Sequence, residues 1–279
     1  MRSEQPGTTS PRPRRGRIVC LAGLLALLVA PALAQPEADY EKLLADKSPA
    51  IVTVKFLMKM KSSWGDHEAE QEVPGVIIGK DGLIMCANSH FGGGAWMRNS
   101  GVTVIPADFK VLIGADTEGV EADLLARDTD LDLAWLKLKN TPAEPLTVIE
   151  LSKAATPTIG ERMYCISRLG KYFDRIAVVA EMRVGGSTTK PRQLIVPSGG
   201  SGAVGLPVYA AAGQIVGVSI TQVPEDDESS PGGQGGGVLI LPADKVQKAT
   251  ERALATATGE EDEEAEPSAP KSEEKHEQE

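Results

Sequence analysis

Gly75-Val-Ile-Ile-Gly-Lys-Asp-Gly-Leu-Ile-Met-Cys-Ala-Asn-Ser-His-Phe91 reads as a strand, a tight turn at Lys80-Asp81-Gly82, a second strand, and a small polar turn that presents a histidine. The same texture extends in both directions. Short β-branched runs cut by Gly, Pro and Asp recur at Ile51–Phe56, Phe109–Ile113, Leu133–Leu138, Ala177–Met182, Gln193–Val196, Gln214–Ile220 and Val238–Leu241. No long amphipathic helix separates these runs, so a doubly wound α/β sheet is excluded and an all-β sandwich or barrel is expected. One helix closes the pattern at Pro242–Thr256, where Val246, Ala249 and Ala253 or Leu254 share a face. Another, short, is expected within 35–47, ended by Ser48-Pro49. The boundary between two halves of similar size is expected at Thr141–Pro145, giving β units over 48–145 and 146–256.

Charge excludes whole classes of function. The 279 residues carry 29 Lys+Arg against 39 Asp+Glu, a net charge of −10. Residues 1–34 hold +4 of this and the segment from Gly259 holds −8, which leaves the body at −6. An acidic body with only 4% aromatic residues lacks both the basic footprint and the stacking surface of a nucleic-acid binder. Three cysteines do not make a disulfide framework or a zinc site, and no cofactor-binding pattern is present. The tail over 257–279 is, after Gly259, mostly Glu, Ser, Pro and Lys, which cannot bury enough apolar surface to order itself, so it is expected to be disordered.

The N-terminus sets an expected compartment. Arg12, Arg14, Arg15 and Arg17 precede the apolar run Ile18–Ala30 and the tripeptide Ala32-Leu33-Ala34, the pattern of a signal peptide cleaved near Gln35. The run is short of the roughly 20 apolar residues of a membrane span, so no stable membrane insertion is expected after cleavage, with an uncleaved anchor as the alternative. Location is therefore expected to be extracytoplasmic, in a bacterial periplasm or secreted. Cys86 and Cys165 then sit in a compartment that permits a disulfide, and both pairing and two buried free thiols stay open.

Two residues invite chemistry. His90 ends a strand in a small polar turn, a mounting suited to a general base; His67, in the polar stretch Trp64–Glu72, and His276, in the tail, read as solvated. Some 40 residues on, Asp132 stands directly before the apolar strand Leu133–Leu138, where a carboxylate can hold an imidazole tautomer.

In the order His then Asp, these segments resemble the trypsin-like serine proteases, and within them the HtrA-type branch. Ser48-Pro-Ala-Ile-Val52, the glycine turn with Asn88-Ser-His90, and Phe109–Gly114 with Leu131-Asp132-Leu-Ala134 are similar to the branch's first three segments. Val204-Gly-Leu-Pro-Val208 with Gly213–Val218, and Gly237–Pro242 followed by Lys245-Val246, resemble the last two. The resemblance covers roughly Asp46–Leu254 and implies two packed six-stranded antiparallel barrels with a site in the cleft between them. No PDZ-like sequence follows Leu254.

One loop departs from the family. Its nucleophile loop reads Gly-Asn/Asp-Ser-Gly-Gly-Pro, and Pro207 with Gly213 fixes the register here as Gly202-Ala203-Val204-Gly205-Leu206-Pro207. Val204 therefore falls where the resemblance expects the serine, and valine has no nucleophilic atom. The leading expectation is a pseudoprotease that keeps His90 and Asp132, with Gly202 and the Val204 amide left as an oxyanion-hole-like pair. The alternative is an active serine endopeptidase with a displaced nucleophile, Ser201 or Ser198, using His90 and Asp132. For a dead protease domain the resemblance implies capture of unfolded or extended polypeptides, or a regulatory or assembly role beside an active protease. The oligomeric state stays open.

Overall fold

A computed structural model describes residues 38–62, 65–92, 103–200, 202–222 and 237–258. The expected signal peptide, Ser201, and the acidic segment from Gly259 lie outside the described residues. Twelve strands form two closed antiparallel barrels. The first contains β1 (Ile51–Ser62), β2 (Gly65–Ile77), β3 (Leu83–Ala87), β4 (Thr103–Leu112), β5 (Val120–Asp128) and β6 (Leu133–Leu138), in the order β1-β2-β3-β6-β5-β4. The second contains β7 (Arg162–Arg168), β8 (Ala177–Thr188), β9 (Leu194–Ser198), β10 (Pro207–Ala210), β11 (Ile215–Gln222) and β12 (Gly237–Pro242), in the order β10-β11-β12-β9-β8-β7. The expected all-β double barrel is therefore the observed fold.

Alternation along the strands explains why the apolar runs are continuous. In β6, Ala134, Leu136 and Leu138 fill the first barrel, while Leu133 and Trp135 point the other way, into a core shared with the second barrel. β3 divides likewise, Ile84 and Cys86 inward and Leu83 and Met85 outward. A strand buried on both faces has no polar side to show, so period two disappears from its sequence.

Two helices clasp this core. α1 (Tyr40–Lys47) starts at Asp39, whose carboxylate accepts the amide of Lys42 at 3.0 Å, and buries Leu43 against the second barrel. α2 (Ala243–Thr258) buries Ala243, Val246, Ala249 and Thr250 on one face, and the indole of Trp135 donates to the Thr250 hydroxyl at 3.1 Å. Ala257 and Thr258, expected in the tail, belong to α2 instead. The Thr258 hydroxyl donates back to the carbonyls of Leu254 and Ala255, which holds the last turn together.

The stretch around His67 also needs correction: from Gly65 on it is strand rather than polar loop. Opposite charges on neighbouring strands replace the apolar signal, with Lys55 reaching diagonally to Glu70 at 2.8 Å and Lys59 facing Glu68 at 4.0 Å. His67 itself is exposed, as expected of a solvated residue.

Candidate active site

The histidine turn is held from below by aromatic packing. After β3 the chain enters a 3-10 turn, Asn88–Phe91, and leaves it through Gly92 at φ 79°. A Cβ at Gly92 would stand 2.6 Å from Val104, so both φ and space require glycine there. Phe91 packs edge-on to Phe56 and Phe109, with centroids 5.0 and 5.4 Å away. Three of the chain's four phenylalanines thus meet beneath His90. Arg127 on β5 bonds the Asn88 side chain and the Phe91 carbonyl, tying the turn to the strand that precedes Asp132.

Asp132 is 4% exposed and adopts the left-handed conformation at φ 54°, a region aspartate tolerates better than most residues. Its carboxylate accepts the Ser89 amide at 2.6 Å and the Ser89 hydroxyl at 3.1 Å. A third donor arrives from the second barrel, the amide of Thr221 at 2.9 Å. Asp132 and the His90 turn are therefore brought together, but through Ser89. The buried Nδ1 of His90 has no hydrogen-bond partner among the described residues. Burial pushes the His90 pKa below its usual 6.5, and the charge of Asp132 opposes that shift.

The loop Gly202–Pro207 packs against the same corner. Gly205, at φ 83°, lies so close to Ala87 that a Cβ would stand 2.5 Å from the Ala87 nitrogen. Its amide donates to the Ser219 carbonyl at 2.7 Å, and Ser219 donates its own amide to Leu206 at 2.9 Å. Gly202 is buried over Cys165 and Ser219: a Cβ there would meet Cys165 Sγ at 2.9 Å and Ser219 Oγ at 2.8 Å. Val204 is half-buried, and Leu206 is fully buried in the shared core. Neither the Gly202 nor the Val204 amide donates to a backbone carbonyl among the described residues. Ser198 ends β9 with its side chain against Gly185 of β8.

Several of these partners carried no sequence signal. Ser89 lay inside the quoted Asn-Ser-His turn, yet its two bonds to Asp132 depend on a fold not readable there. The amide of Thr221 has no side-chain signature at all. Cys86 and Cys165 are free thiols, each buried in a different core cluster, and burial pushes the Cys165 thiol up to about 11. Among the described residues no group of three or more His, Cys, Asp or Glu is arranged to hold a metal.

The family model of the trypsin-like peptidase domain matches residues 74–218, a little over half of the 279. The matched span runs from β2 into β11 and takes in the His90 turn, Asp132 and the Gly202–Pro207 loop. No curated protein matches the sequence.

Proposed function

The chain belongs to the trypsin-like peptidase domain family, and from that premise we propose an extracytoplasmic pseudoprotease of the HtrA-type branch that binds extended or misfolded polypeptide without cleaving it. Val204 carries this reading. Counted from Pro207 and Gly213, it stands where the family's loop has its serine, and a hydrocarbon side chain offers neither a nucleophile nor a proton for a base to remove. The surrounding contacts support the same view. The carboxylate of Asp132 accepts from Ser89 and Thr221, while Nδ1 of His90 has no partner among the described residues, an arrangement that supports an inactive site.

Binding needs none of this. Along β11, Ile220–Gln222 pair with β12 on one side, whereas the pairing to β10 ends at Val218. No strand pairs with the other edge of Ile220–Gln222 among the described residues, and that edge lies directly beside Asp132. An extended peptide can add there as a further strand, its backbone supplying affinity and its alternate side chains specificity. The leader-like Arg12–Ala34 segment supports export, which brings the domain to unfolded extracytoplasmic chains.

The test uses the mature chain from Gln35. It should take no fluorophosphonate label and leave casein intact, yet raise the anisotropy of fluorescent extended hydrophobic peptides. Labelling that Ser201→Ala or Ser198→Ala abolishes would show a working hydrolase instead.

A further inference from the structure

Beside Asp128–Leu131, a groove of about 660 Å³ lies between α2 and the β8–β9 connection. Leu131 and Leu241 form its apolar floor. Its cations are Arg192, Lys245, Lys248 and Arg252. Residues 245, 248 and 252 follow helical spacing of three and four, so they form one stripe along α2.

Three carboxylates also line the groove, and two of them are engaged locally. Asp128 accepts the amides of Asp130 and Leu131 at 3.0 and 2.8 Å, and Glu251 accepts from the Gln247 side chain at 2.9 Å. Asp130 is exposed, and its carbonyl holds Arg192 at 3.0 Å. Lys245 pairs with Asp244 at 3.2 Å. Lys248 and Arg252 have no ion pair among the described residues, although both are exposed on a body that is acidic overall.

We propose that this groove is the docking site for the chain's own acidic segment Glu260–Glu266, which folds back along α2 and pairs with Arg252, Lys248, Lys245 and Arg192. The segment reads Glu-Glu-Asp-Glu-Glu-Ala-Glu, six carboxylates in seven residues. Lengths match. At about 1.5 Å per helical residue, Arg252, Lys248 and Lys245 lie about 9, 15 and 20 Å back from Thr258. Extended chain at about 3.3 Å per residue carries Glu260 to Glu266 over about 7 to 26 Å from the same point. The reversal falls at Gly259, the residue type that turns a chain back at a helix end without steric cost. Docked in this way, the segment neutralises the cation stripe.

The test places a nitroxide at Ala265→Cys in the mature chain. Cys86 and Cys165 are buried and do not compete for the label, and Cys20 lies upstream of Gln35. The readout is the amide signal of Asp130 and Arg192, which line the groove across from α2, and the charge-reversed variant separates docking from mere tethering to α2. At about 0.1 M salt, where charges act over roughly 10 Å, both signals should lose severalfold intensity. They should recover at about 1 M, where that length falls to roughly 3 Å, and also in the Lys248→Glu/Arg252→Glu variant. Full-strength signals at the lower salt, or broadening that persists in the charge-reversed variant, overturn the proposal.

Discussion

The backbone amide of Thr221, on a strand of the second barrel, donates to the carboxylate of Asp132 on the first at 2.9 Å. With the two bonds from Ser89, this makes Asp132 a buried acceptor at the seam of the two barrels. A carboxylate kept only as a remnant of catalysis would tolerate conversion to its amide. One that satisfies three donors would not, because an amide turns an acceptor into a donor facing another donor. We therefore expect Asp132→Asn to lower unfolding free energy by about 1–3 kcal/mol. Urea titration of both chains measures it, and a neutral or stabilising result would remove this structural role.

Acidity should act through His90. Its folded-state pKa is depressed, first by burial, with the charge of Asp132 acting the other way. Between that lowered value and the usual 6.5, the unfolded chain holds a proton that the folded chain does not. Stability therefore falls as pH drops through about 6.5, and the loss stops only below the folded pKa. Ordinary carboxylates contribute to acid loss only near and below about pH 4.5. Melting temperatures at about pH 7.5 and about pH 5.5 should fall in the parent and change much less in His90→Gln, whose side chain has no charge to gain. Equal pH slopes in the two chains would show that His90 does not control this window.

The fold was legible because most strands are apolar runs and the turns between them carry Gly and Asp at the bends. Strands buried on both faces, such as Leu133–Leu138, announce themselves by composition alone. The first half of β2 does not read as strand, since Asp66, Glu68 and Glu70 make it resemble a loop and only the lysines of β1 explain it. His90 and Asp132 were readable as single residues in distinctive settings. Their actual connection was not, because it passes through Ser89 and a main-chain amide, and main-chain donors are the same in every sequence.

Gly205 joins the valine loop to the histidine turn. Any side chain there must occupy the space of the Ala87 nitrogen and accept a φ of 83°. Backbone cannot yield as a flexible side chain does, so Gly205→Ala should destabilise by about 1–3 kcal/mol, with a further contribution from the left-handed φ. Backbone shifts read by NMR should centre on Ala87–His90 and Gly202–Leu206. Shifts confined to the loop alone would mean that the two segments are not coupled through this contact.

On the proposed reading of Val204, a serine at that position should not by itself give an active enzyme. Val204→Ser supplies a hydroxyl, but Nδ1 of His90 has no partner among the described residues, and the carboxylate that should orient it already accepts from Ser89 and Thr221. An imidazole not fixed in one tautomer is a poor base, and loss of that orientation alone costs about 10⁴ in rate in a working triad. Rebuilding the whole loop to the family pattern is limited by Leu206, which is fully buried in the shared core. Leu206→Gly would remove a core side chain at a cost of about 3 kcal/mol or more, so loss of activity in that variant would be confounded with loss of structure. The informative variant keeps the leucine: Ala203→Asn with Val204→Ser. It should fold with a melting temperature close to the parent's and label with fluorophosphonate hardly at all. Adding Ser89→Ala removes one of the two donors on Asp132 Oδ2 and leaves only the Thr221 amide there, so labelling should then rise if the imidazole turns to take the hydroxyl's place. Rapid labelling by Val204→Ser alone would show that the His90–Asp132 corner is still catalytically competent and that the valine is the single defect.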